Sequence, residues 1–130
     1  MRPIIKIISI IILFMMFTEC GATKLSSAFS EDKLKAAVEI VIDNLNNEKY
    51  DEIIATGSED LKSKLTAEQL KEPWVKMKEK LGNFDSITKE VFVGKDNSAI
   101  VIVTAKYEKG NVQFTISYNE NMEMIGIYMK

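Results

Sequence analysis

Histidine is absent from this chain, and cysteine, arginine and tryptophan occur once each, at Cys20, Arg2 and Trp74. The missing imidazole removes the commonest general base, the commonest metal ligand and the usual switch near neutral pH. Without histidine or a second cysteine, Ser-His-Asp and Cys-His nucleophile systems, HExxH sites and zinc–cysteine sites are excluded. Past the first twenty residues no arginine remains; setting aside Arg2, Lys6 and Glu19 leaves 15 lysines against 18 acids, a net charge of −3. Such a body has neither the basic stripe nor the guanidinium fork of a nucleic-acid binder. No cofactor motif or metal-ligand spacing is present. Proline is scarce too, at Pro3 and Pro73 only, and there is no low-complexity tract or interdomain linker.

What is present begins with a leader. Arg2 and Lys6 precede an uncharged, largely apolar run from Ile7 to Phe17, followed by Thr18-Glu19-Cys20-Gly21-Ala22. This is the order of a secretory signal, and the run is short of the ~20 apolar residues that span a bilayer. Residues 1–22 are therefore expected to export the chain and to be removed. Cys20-Gly21 after an apolar run resembles the lipobox of bacterial lipoproteins. That resemblance implies cleavage before Cys20, acylation of its sulfur and anchorage at the outer face of the cell membrane. Phe17 and Glu19 stand where the lipobox usually has leucine and a small residue, so cleavage after Ala22, giving a secreted chain, stays open. Residues 23–29 are expected as a tether and 30–130 as one domain, long enough for a single core.

The domain's pattern changes period halfway. Ser30 is an N-cap with Glu31 and Asp32 behind it, and Leu34, Ala37, Val38, Val41, Ile42 and Leu45 fall on one helical stripe. Tyr50, Ile53 and Ile54 predict a short second helix ending at Gly57, and Ser58 caps a third. Thr66-Ala67-Glu68-Gln69 is a capping box opening a helix with Leu70, Trp74, Met77 and Leu81 inward. Pro73 is expected to break or kink it.

From Phe84 the period is two. Strands are expected at 84–93, 98–107, 112–118 and 122–129, with a turn at Gly94-Lys95-Asp96-Asn97. The consecutive Ile100, Val101, Ile102 and Val103 suggest burial on both faces. Helices followed by an antiparallel meander make an α+β fold, with helices packed on one face of a curved sheet.

That order resembles the nuclear-transport-factor-2-like, cystatin-like cone. Three pieces are similar to a domain-of-unknown-function family of secreted Gram-positive proteins: Tyr50-Asp51; Leu65-Thr66-Ala67-Glu68-Gln69-Leu70 with Trp74; and Leu81-Gly82-Asn83-Phe84. The likeness spans roughly residues 34–130. In that family the domain often precedes an α/β-hydrolase, and here the sequence ends with the last strand. The resemblance implies a fold and a location more than an activity.

Cone enzymes hold a shielded carboxylate, histidine or Tyr–Asp pair. Glu108, Asp85, Asp96 and Asp43 all read as solvated, which leaves Tyr107 and Tyr118 inside, and a lone tyrosine is a poor base near neutral pH. An isomerase- or dehydratase-like enzyme using either tyrosine with a carboxylate is the alternative to a non-catalytic module. Tyr50 and Trp74 are candidate pocket aromatics, although core packing explains Trp74 as well. Met122, Met124 and Met129 read as core filling. Lys71, Lys76, Lys78 and Lys80 could face an anionic membrane, but Glu68, Glu72 and Glu79 balance them. The polar face of Gln113, Thr115, Ser117 and Asn119 is either plain solvated sheet or the surface of a homodimer. The expectation is thus an exported, lipid-anchored binding or protein-interaction module. Its partners are the membrane, through Cys20, and an unidentified protein or small apolar ligand. The alternatives are the cone enzyme and a structural dimerisation domain.

Overall fold

The computed structural model describes residues 24–130, so Cys20 and the leader lie outside the described residues. Four helices, α1 (Glu31–Asn46), α2 (Tyr50–Ala55), α3 (Glu59–Lys64) and α4 (Ala67–Leu81), are followed by four strands, β1 (Phe84–Lys95), β2 (Ser98–Tyr107), β3 (Gly110–Tyr118) and β4 (Met124–Met129). The strands form one antiparallel sheet in chain order. The chain is α+β: helices precede a curved four-stranded sheet and pack on one of its faces.

Local chemistry sets the helix ends. The Ser30 hydroxyl accepts from the Lys33 amide, and Ser58 accepts from Leu61. Thr66 and Gln69 close the capping box in both directions, at 3.1 and 3.0 Å. Each such cap satisfies amides that the first turn leaves without partners. Gly82 ends α4 at φ 80°, a conformation that favours glycine. Pro73 does not divide α4, which runs unbroken from Ala67 to Leu81. The proline is exposed, so the Gln69 carbonyl it leaves without an amide partner can be hydrated.

The core lies between the stripe of α1, with Leu34, Val38, Val41, Ile42 and Leu45, and the inner sheet face. Ala99, Val101, Val103, Ala105 and Tyr107 of β2 alternate inward opposite Tyr118, Ile116, Phe114, Val112 and Gly110 of β3. Ile100 and Ile102 are only half-buried on the outer face. The apolar run in β2 is therefore buried on one side, because all four helices lie on that side. Gly94 belongs to β1 rather than to the turn; the two-residue turn is Asp96-Asn97, with Asp96 at φ 54°. On the helix side of Gly94 lies the main chain of Lys24 and Leu25, the Leu25 Cα only 3.0 Å from where a Cβ would stand. Leu25 packs on the core and Phe29 is part of it, so much of the stretch expected as a tether is laid onto the domain.

Candidate functional site

At the C-terminal end of α1 the chain leaves the helix through Asn47, Glu48 and Lys49 and re-enters one at Tyr50; Glu48 takes φ 59° to make the corner. Helix α4 passes this corner. Between them lies a cleft of about 200 Å³. Its apolar lining comes from Leu45, Tyr50, Trp74 and Val75, and its polar lining from Asn46, Glu48, Lys78 and Glu79. An adjoining groove shares Glu48 and Tyr50 with the cleft and is otherwise lined mostly by charged side chains.

Three of the four aromatics singled out in the sequence meet at this end. Tyr50 and Trp74 line the cleft. Trp74 is held there: its indole nitrogen donates to the Leu45 carbonyl at 3.0 Å, and its ring packs edge-on against Tyr107 at 5.9 Å and tilted against Phe114 at 5.8 Å. Tyr107 lies beneath, and its hydroxyl donates to Asn46 Oδ1 at 2.7 Å, fixing a residue of the lining. Tyr118 is not part of the cleft: it ends β3 opposite Ala99, at the other end of the sheet.

The tyrosine hydroxyls differ in what they can do. Burial raises the pKa of Tyr107 to about 12, against a smaller opposing effect of the Asn46 bond. Burial pushes Tyr118 higher still, and it raises Tyr50 together with the nearby Glu48 charge. All three are neutral O–H groups at physiological pH. The Tyr107 proton is engaged by Asn46, whereas the buried hydroxyls of Tyr50 and Tyr118 have no protein partner. A buried hydroxyl without a partner is costly, and at the edge of a cleft a ligand acceptor can relieve that cost. Among the described residues no tyrosine hydroxyl is hydrogen-bonded to a carboxylate, the pairing that the enzyme alternative requires.

One carboxylate faces the helix side unanticipated. Glu90 lies opposite Val103 on β1, with its side chain 9% exposed, and its Oε1 is 3.3 Å from the Lys35 ammonium of α1. Lys35 also reaches Glu39 at 3.2 Å, and both carboxylates raise its pKa. Glu90 Oε2 is buried without a partner. The group ties α1 to the edge strand and stands apart from the cleft. Glu108, also weighed in the sequence, accepts from the Asn83 amide at 2.7 Å and secures the α4–β1 turn.

Over residues 37–127 the chain matches the family described as "Protein of unknown function (DUF3887)", and it belongs to that family. A solved structure, an NMR structure of a protein from Ruminococcus gnavus ATCC 29149, is similar to it with a TM-score of 0.74 and 28% identity. The match covers 83% of this chain and 97% of that one. No curated protein matches the chain.

Proposed function

We propose that the chain is an exported, lipid-anchored binding module that takes a small, largely apolar ligand in the Tyr50–Trp74 cleft. The observation that carries this reading is the buried Tyr50 hydroxyl without a partner, in a residue that lines a cleft of mixed apolar and charged lining. Val75 offers apolar contact at the surface of the cleft, Lys78 and Glu79 supply charge of both signs, and a small shift of the Tyr50 ring would bring its shielded hydroxyl to a ligand as one directional donor. The leader and Cys20-Gly21 support export and acylation. The helices-then-meander order supports kinship with the nuclear-transport-factor-2-like cones.

Trp74 is the only tryptophan, so its emission reports on the cleft directly. Titration with an anilinonaphthalene sulfonate probe is expected to change that emission saturably. Tyr50→Phe should weaken binding about fivefold, the worth of one hydrogen bond. Absence of saturable binding, or equal binding by the variant, rejects the reading. Mass spectrometry of the mature N-terminus tests the anchor: a diacylglyceryl Cys20 supports it, and a chain beginning at Thr23 rejects it.

A second reading rests on the outer sheet face, where Val91, Val93, Ile100 and Ile102 are half-exposed and Tyr128 is 74% exposed. Such a face suits isologous pairing of two copies. A sedimentation coefficient that rises with concentration, and stays low for Ile102→Lys, would support it.

A further inference from the structure

The anchored reading has a geometric corollary. The main chain of Lys24 and Leu25 lies on Gly94, beside the β1–β2 hairpin turn, and Leu25 and Phe29 hold the segment on the core. Three residues, Gly21 to Thr23, separate Cys20 from that contact, a reach of about 14 Å when fully extended. The cleft is at the other end. It is lined by Leu45 and Asn46, the last residues of α1, and α1 is about 24 Å long. Asn46 is bonded to Tyr107 at the end of β2 remote from the hairpin turn. The slack in the tether is therefore shorter than the rod that separates tether from cleft.

Resting on the anchored reading, we infer that the acylated protein stands on its β1–β2 hairpin end and holds the Tyr50–Trp74 cleft away from the bilayer, open to a water-borne ligand. The competing pose lays the domain flat with the α4 lysines on anionic lipid. Lys71, Lys76 and Lys80 are exposed, but the equally exposed Glu68, Glu72 and Glu79 alternate with them and leave little net attraction. Lys78 lines the cleft, so the flat pose would bring the cleft to the membrane and the upright pose would not.

The test uses the full chain, made with its leader in a bacterium that acylates lipoproteins. It is reconstituted in vesicles of phosphatidylcholine and phosphatidylglycerol carrying a headgroup nitroxide lipid. Acylation blocks Cys20, so Lys95→Cys at the hairpin and Glu79→Cys at the cleft rim each carry a single fluorophore. Quenching at position 95 is expected to exceed that at 79 by about threefold or more, because α1 separates the two ends by about 24 Å. Equal quenching on a chain whose Cys20 is shown by mass spectrometry to be acylated overturns the inference and leaves the anchor intact. A chain without acyl groups on Cys20 overturns the anchor and the inference together.

Discussion

The indole nitrogen of Trp74 and the carbonyl of Leu45, 3.0 Å apart, join α4 to the last turn of α1 beside the cleft. The Glu48 amide donates to the same carbonyl at 3.1 Å, so the acceptor keeps one partner if the indole is removed. Trp74→Phe should therefore cost about 1–2 kcal/mol, from one hydrogen bond and some packing, whereas Trp74→Ala should cost about 3–5 kcal/mol because the vacated volume cannot refill. Urea unfolding followed by circular dichroism measures both. Equal losses would mean that the hydrogen bond, not the packing, fixes the indole.

The tyrosines give a comparison of opposite sign. Tyr107→Phe removes a 2.7 Å bond to Asn46 and should destabilise by about 1 kcal/mol. Tyr118→Phe removes a buried hydroxyl that has no partner and should be neutral or stabilising by up to about 1 kcal/mol. A lowered denaturation midpoint for Tyr107→Phe, with an unchanged or raised one for Tyr118→Phe, is the expected outcome.

Alkaline pH should act through the same two residues. Both have folded pKa values raised by burial, Tyr107 to about 12 and Tyr118 further. In the unfolded chain each releases its proton near pH ~10. Above that pH the folded state binds more protons than the unfolded state, so stability falls as pH rises. The contribution is complete below pH ~10 and is lost as pH climbs through the folded values. Denaturant midpoints across this range, with tyrosinate absorbance alongside, should show the decline. Tyr118→Phe should flatten it.

Gly94→Ala should act through contact rather than strain. Its new Cβ would meet the carbonyl of Lys24, with the Lys24 carbonyl carbon at 2.9 Å. Backbone cannot yield as a side-chain tip can, so the segment around residues 24–29 should lift from the sheet. Amide exchange and proteolysis at Lys24 should accelerate, with lower thermal stability as Leu25 and Phe29 lose contact.

The Lys35–Glu90 pair predicts an order of stabilities. Lys35→Met leaves a nearly buried carboxylate without its partner and should be the worst of the series. Lys35→Met combined with Glu90→Leu should recover much of the loss, because no charge is then stranded. Thermal unfolding of the single and double variants gives the order.

Much of this fold is written in local chemistry. Ser30, Ser58 and the Thr66–Gln69 box mark three helix starts, and the stripe from Leu34 to Leu45 names the face of α1 that is buried. These features depend on neighbours within a few residues, so the sequence displays them directly. Pro73 and Gly94 depart from their local signals because what decides them is tertiary: one is tolerated on an exposed helix face, the other is shaped by Lys24 lying across it. Tyr50 and Trp74 were legible as aromatics, but their meeting depends on the corner at Glu48. Glu90 escaped because β1 does not keep a period of two. Register shifts between Phe84 and Ser86 and between Ile87 and Lys89 place Phe84, Ile87 and Glu90 opposite inward residues at intervals of three.

Those two shifts also make the first half of β1 tolerant of changes in chain length in a way that point substitutions cannot show. Each supplies one surplus residue, Asp85 and Thr88, that has no partner on β2. Excising Thr88 alone would close its shift into a regular ladder, with Lys89 opposite Thr104, Ile87 opposite Ala105 and Phe84 still opposite Tyr107. Excising Ile87 instead would leave Ala105 without its inward partner. In relatives of this chain, single-residue deletions should therefore be tolerated at 85 and 88 and selected against at 84, 87 and 90.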